Sequence, residues 1–153
     1  MKKVIIVLLL LSVVAFSEGF KKHAVMASAG IPGLIVPEFA YEYSFNARNK
    51  ISIAGGFILL APEFRLSYTR MLSSFELSGS VGKVASFDGN GGVFEEILSG
   101  GTQGATFVSG TGGYRYTADG GFIFRVAGGG GYFFGAKNSG VIPFFQLGIG
   151  YAF

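Results

Sequence analysis

The sequence predicts an all-β protein, an eight-stranded antiparallel up-and-down transmembrane β-barrel, and three observations carry that expectation. First, the final stretch, Pro143 to Phe153, sets Phe145, Leu147, Ile149, Tyr151 and Phe153 at alternate positions, with Gln146, Gly148, Gly150 and Ala152 between them. A period of two with one greasy face is a β-strand. Such a face invites aggregation in water, so its matching solvent is hydrocarbon. Second, half the residues are hydrophobic and only 14% are charged, well below the roughly 25% of an ordinary soluble domain. Yet beyond residue 17 glycine and polar residues interrupt every apolar run before it reaches the ~20 residues of a membrane helix. Third, removing a 17-residue leader from the 153 residues leaves 136, room for about eight spanning strands and not sixteen.

The leader is residues 1–17. Lys2 and Lys3 precede a run from Val4 to Phe16 whose only polar residue is Ser12, and Ala15-Phe16-Ser17 offers the small residues a signal peptidase needs. The expectation is a secretory signal cleaved after Ser17, leaving residues 18–153 as the barrel domain. Ten basic and nine acidic residues then remain, a net charge of +1, which gives no footprint for nucleic acid. The chain has no cysteine, which excludes lipid anchoring through a thiol, disulfides and cysteine metal sites.

Eight strands follow in order. The first, about His23 to Gly30, is weakly patterned and ends at the Ile31-Pro32-Gly33 turn signal. The second, about Ile35 to Phe45, puts Phe39, Tyr41, Tyr43 and Phe45 on one face and Glu38, Ala40, Glu42 and Ser44 on the other. After a polar turn from Asn46 to Lys50, the third, about Ile51 to Leu60, groups Ile51, Ile53, Phe57 and Leu59 and closes at Ala61-Pro62. The fourth, about Glu63 to Leu72, sets Phe64, Leu66, Tyr68 and Leu72 against Glu63, Arg65, Ser67 and Thr69. The fifth, about Phe75 to Phe87, sets Leu77, Val81 and Phe87 against Glu76, Ser78, Ser80 and Gly82. The sixth, about Thr106 to Tyr116, sets Val108, Tyr114 and Tyr116 against Thr111, Gly113 and Arg115. The seventh, about Phe122 to Phe134, sets Phe122, Phe124, Val126 and Tyr132 against Arg125, and Gly135 to Ile142 links it to the last.

Connection lengths add an independent sign. The links at 46–50, 73–74 and 117–121 are short, and the long one, Asp88 to Ala105, falls on the opposite side, the asymmetry of short periplasmic turns and longer external loops.

The polar parity gathers the few charges on the inner face: Glu38, Glu42, Glu63, Arg65, Glu76, Arg115 and Arg125. An eight-stranded barrel is just wide enough inside for side chains to fill it, and unpaired charges there would be costly. The expectation is a structural network of Glu and Arg pairs that plugs the lumen, with Glu76 beside Arg115 and Arg125. A polar conduction path or substrate site is the alternative. On the lipid side, Arg70 and Lys83 sit toward strand ends where they can snorkel, and Tyr43, Phe45, Phe75, Tyr114, Tyr116, Phe122, Tyr151 and Phe153 form a candidate interfacial girdle.

The terminal aromatic, the aromatic third from the end and the alternating hydrophobics before them, from Phe145 to Phe153, resemble the C-terminal signature of bacterial outer-membrane β-barrels. The resemblance is to the small OmpA-like and OmpX-like barrels. It implies recognition by the barrel-assembly machinery, residence as a monomer among outer-membrane lipids, and a non-enzymatic role in envelope integrity or surface contacts, with the ligand of the external loops unspecified.

No catalytic, cofactor or metal residue is assigned. Lipid-modifying enzymes of this architecture would use a His near the external end, whereas His23, the only histidine, opens the first strand on the periplasmic side as an exposed residue near a flexible N-terminus. Glu95-Glu96 and Asp88-Gly89-Asn90-Gly91 read as loop and turn rather than cation sites. Gly79 to Lys83 lacks the first glycine and the Ser or Thr of a phosphate loop, and Gly128 to Gly131 has no strand-to-helix context for a dinucleotide. Two other classes stay open here: a lipid A-processing enzyme and a secreted lipocalin-like carrier, the latter needing rings inside and charges outside.

Overall fold

A computed structural model describes residues 21–31, 36–58, 61–85, 105–134 and 140–153. Eight strands follow one another, β1 (His23–Ile31), β2 (Val36–Ser44), β3 (Asn49–Ile58), β4 (Ala61–Leu72), β5 (Phe75–Val84), β6 (Thr106–Thr117), β7 (Phe122–Phe134) and β8 (Gly140–Ala152). Each pairs antiparallel with its neighbour in sequence, and β1 pairs with β8, so the sheet closes into a barrel with no free edge. The expected all-β, eight-stranded, up-and-down architecture is what the chain forms. The expected leader 1–17 and the motifs at 88–91 and 95–96 lie outside the described residues.

Alternation decides which way each residue points. Along β4, Phe64, Leu66 and Tyr68 are exposed on the outer surface while Glu63 and Thr69 are buried inside. Phe75, Leu77 and Val81 lie outside on β5, against Glu76 inside at 1% exposure. The pleat makes this unavoidable: successive side chains leave opposite faces of a strand, and closure turns one face into an enclosed lumen. An exterior of rings and aliphatic chains over charges is the inverse of a water-soluble barrel and fits a hydrocarbon surround.

Three tight turns share one end of the barrel with Lys21 and Phe153. At residues 45–48, Asn46 Oδ1 accepts from the backbone N–H groups of Arg48 and Asn49, each at 2.9 Å. This side-chain cap replaces ladder bonds that the turning backbone gives up. Ser73 takes φ 60° in the two-residue β4–β5 turn. Gly121 takes φ 99° between β6 and β7, where a Cβ would also meet Ala152 O at 2.4 Å, so only glycine fits. The opposite end carries the connections through 32–35, 59–60, 85–105 and 135–139. We refer to these as the turn end and the loop end.

Four strand boundaries differ from expectation. β5 ends at Val84 rather than running to Phe87; Ala85 is already outside the strand and Phe87 lies outside the described residues. Ala61 and Pro62 open β4, paired with Ile58 and Phe57, rather than closing β3. Proline lacks a ladder donor but is tolerated at the start of a strand, and Pro62 O still accepts from Ala85 N at 2.8 Å. Gly140 to Ile142 belong to β8, paired with Phe133, Tyr132 and Gly131. Asn49 and Lys50 belong to β3.

Candidate functional site

The inward faces of all eight strands meet in one connected set of polar side chains. β2 supplies Glu38 and Glu42, β3 Lys50, β4 Glu63 and Arg65, β5 Glu76, β6 Arg115, β7 Arg125 and β8 Gln146. Arg115 clamps Glu42 with both terminal nitrogens at 2.7 Å, the two-pronged geometry that matches a guanidinium to a carboxylate. β2 and β6 stand four strands apart in a ring of eight, so this pair is a strut across the full width of the lumen. Lys50 Nζ reaches the same carboxylate at 3.3 Å.

From Arg115 the set continues upward. Glu76 Oε2 lies 4.0 Å from Arg115 Nη1, and the other oxygen of Glu76 accepts from Arg125 Nε. Arg125 donates to Gln146 Oε1 at 3.4 Å, and Gln146 Nε2 donates to Glu38 Oε2 at 3.3 Å. Glu38 also takes Arg65 as an ion-pair partner and accepts from Ser28 of β1 at 3.3 Å. Arg65 Nη1 comes within 3.9 Å of Glu63. The result is a string running from Lys50, near the turn end, to Glu63, near the loop end, with four carboxylates against four cations. That balance is what a low-dielectric enclosure requires, because an unmatched charge there costs several kcal/mol.

The sequence-predicted network residues therefore all face the lumen. Arg115 and Arg125 are Cα partners across the β6–β7 ladder, yet they do not share Glu76 equally: Arg125 holds it directly while Arg115 is directed to Glu42. Sequence reading missed Lys50, taken as a turn residue, and Gln146, taken only as a small or polar spacer; inward parity marks both. A wall of hydroxyls faces the string. Thr69 and Ser78 share a hydrogen bond, and Ser80 Oγ lies 2.5 Å from Ser109 Oγ.

Two apolar clusters lie above and below. At the loop end, Val84, Ala105, Phe107 and Phe133 are buried, with Ile142 and Phe144 packed against them. The Phe107 and Phe133 rings stack with centroids 5.2 Å apart, and Phe144 lies 6.5 and 6.3 Å from them. At the turn end, Ala24, Met26, Ile123 and Ala152 form a smaller cluster. The expectation that rings face lipid thus needs correction at these three phenylalanines. Parity sends them inward, and a ring is as much at home in a packed lumen as in hydrocarbon.

The terminal residues take two environments. Phe145, Leu147, Ile149 and Tyr151 are exposed on the outer surface, in line with their alternation. Phe153 is half-buried, its ring stacked on His23 at 5.7 Å. His23 is correspondingly not free: its Nδ1 lies 2.5 Å from Tyr41 Oη. It stands on the outer face at the turn end among aromatic rings, away from the carboxylates of the lumen.

Comparison with known proteins yields no matching family model and no matching curated protein. Solved structures do match. A de novo designed transmembrane β-barrel aligns with TM-score 0.51 and 11% identity over 90% of this chain and all of that one. The outer membrane protein Ail of Yersinia pestis, in a phospholipid bilayer nanodisc, aligns with TM-score 0.52 and 11% identity over 86% of this chain and 98% of that one. At such identity the likeness is one of fold, and the fold it shows is the eight-stranded transmembrane β-barrel.

Proposed function

We propose that this is a non-enzymatic integral outer-membrane protein, secreted through a signal removed near Ser17 and inserted by the barrel-assembly machinery through its C-terminal aromatic stretch. It works as a monomer through its wall and external loops, in envelope integrity or surface contacts. One observation carries the reading: the strands turn their apolar faces outward and enclose their carboxylates and guanidiniums. Aqueous solvent would penalise that arrangement on both faces, and a bilayer penalises it on neither. A soluble carrier would need the reverse.

The non-enzymatic half of the proposal draws on the site itself. The inward carboxylates are engaged by cations or amides, and His23 has an aromatic neighbourhood with a phenol as its polar partner. The two base–hydroxyl contacts, Ser28 with Glu38 and Tyr41 with His23, are respectively buried beneath an Arg65 ion pair and set among aromatic rings, and neither has the third orienting group of an activated nucleophile beside it. Cell fractionation together with gel mobility of boiled and unboiled samples tests the proposal. Outer-membrane fractionation with a heat-dependent mobility shift supports it; a soluble periplasmic fraction with no shift overturns it.

A further inference from the structure

The polar string and the hydroxyl wall leave room between them. A cavity of about 30 Å³ is lined by Ser28, Glu38, Ser52, Arg65, Ser80 and Arg125, among others, above the roughly 10–15 Å³ that one water needs. Four buried polar atoms of the lumen have no hydrogen-bond partner within the protein: Arg65 Nε, on a residue that lines the cavity, and Glu63 Oε1, Glu76 Oε2 and Arg115 Nε elsewhere along the string. Buried polar atoms are rarely left so, and water is the partner that satisfies donors and acceptors alike. The middle of the lumen therefore has both the room and the polar partners for a buried water or two among otherwise desolvated ion pairs.

What closes it differs at its two ends. At the turn end the apolar cluster comes from β1, β7 and β8, while Lys50 and Glu42, on β3 and β2, retain side-chain exposures of 13% and 6%. At the loop end the rings are sealed almost completely, Phe107 at 0% and Phe133 at 1% exposure. Phe107 and its neighbour Phe144 each occupy a seat left by a glycine. A Cβ on Gly82 would meet Phe107 Cζ at 2.4 Å, and one on Gly131 would meet Phe144 Cε2 at 2.4 Å. Neither glycine has a positive φ, so each is explained by the space its ring occupies and not by backbone conformation.

We propose that Phe107, Phe133 and Phe144 form a hydrophobic gate. These rings, rather than the ion pairs beneath them, keep water and small ions on the loop side from entering the polar lumen, and the barrel is a latent conduction path for small monovalent ions. An apolar constriction blocks ions by dewetting, without needing to fill its cross-section. The ion pairs, in contrast, offer an entering ion or water charged and hydrogen-bonding partners, which the rings do not. The inference rests on the transmembrane reading above.

The test uses the full barrel in phospholipid vesicles and planar bilayers in potassium chloride, with insertion checked by vesicle flotation and folding by heat-dependent gel mobility. Wild type and Glu76→Gln should be electrically quiet, whereas Phe107→Ala/Phe144→Ala should show discrete conductance steps and faster osmotic water exchange. Phe144→Ala alone, which removes a partly buried ring, serves if the double variant does not fold. Because the chain has no cysteine, Ser109→Cys gives a second readout: silver ions should react with that thiol several-fold faster when the rings are truncated. Inserted, folded ring variants that stay silent and leave the thiol protected overturn the gate, as does conduction by Glu76→Gln with rings intact. Protein that fails to float with the vesicles overturns the transmembrane reading as well.

Discussion

The middle of the lumen and its loop end are built from opposite materials to the same effect. The middle is held by charge: Glu42 and Arg115 join walls 73 positions apart in sequence, and each member is stable only because the next is present. The loop end is held by contact, with three packed rings, two of them over glycine seats. The difference teaches how each region should fail. A charge network fails by leaving a neighbour uncompensated, whereas a ring cluster fails by leaving a hole.

The largest effect separating the two is expected from Arg115→Met. It strips Glu42 of its bidentate partner inside the barrel, and removal of one member of a buried pair costs about 3 to 5 kcal/mol. Urea unfolding in lipid vesicles should show that loss. Phe133→Ala should cost a similar or slightly smaller amount, about 3 to 4 kcal/mol, through lost transfer energy and a residual cavity. The sharper contrast lies in the remedy. A small apolar guest such as benzene should restore part of the stability of Phe133→Ala and none of that of Arg115→Met.

Crossing the wall gives the next effect. Val81 faces outward on β5, one residue from the inward Ser80, and Val81→Arg should destabilise the vesicle-bound barrel by roughly 2 to 4 kcal/mol near mid-bilayer. Ser109→Ala, which breaks the hydroxyl pair with Ser80, should cost only about 1 kcal/mol. Smallest of all is Gly79→Val, where a Cβ meets nothing within 4 Å. Its change should stay within about 0.5 kcal/mol, as for surface substitutions. A large loss there would mean that the outer face of β5 is covered.

This contrast also explains how much of the molecule was readable in advance. Strand number and facing were legible because period-two alternation is written residue by residue, as in Phe64, Leu66 and Tyr68 against Glu63, Arg65 and Ser67. The charged members of the network other than Lys50 were legible for the same reason: away from the strand ends, where Arg70 and Lys83 can snorkel, an ionised group has only one affordable side. Of their pairing, Glu76 beside Arg125 and Arg115 was legible from neighbouring strands, but Glu42 with Arg115 was not, because those two meet through barrel closure rather than proximity along the chain. Phe107, Phe133 and Phe144 went unnoticed since an aromatic ring carries no label for lumen or lipid. Pro62 misled because a proline that ends one strand and a proline that begins the next look alike from sequence.

The seam between β1 and β8 carries a last consequence. His23 and Phe153 exchange backbone hydrogen bonds at 3.1 and 2.8 Å, so β1 closes on the strand made last among these eight. Until that partner arrives, two sticky borders stay unmatched, and sequence-distant pairing of this kind is slow. Enclosure of the carboxylates and guanidiniums is therefore completed only when that final seam zips, so the interior is the last part of the molecule to be shielded.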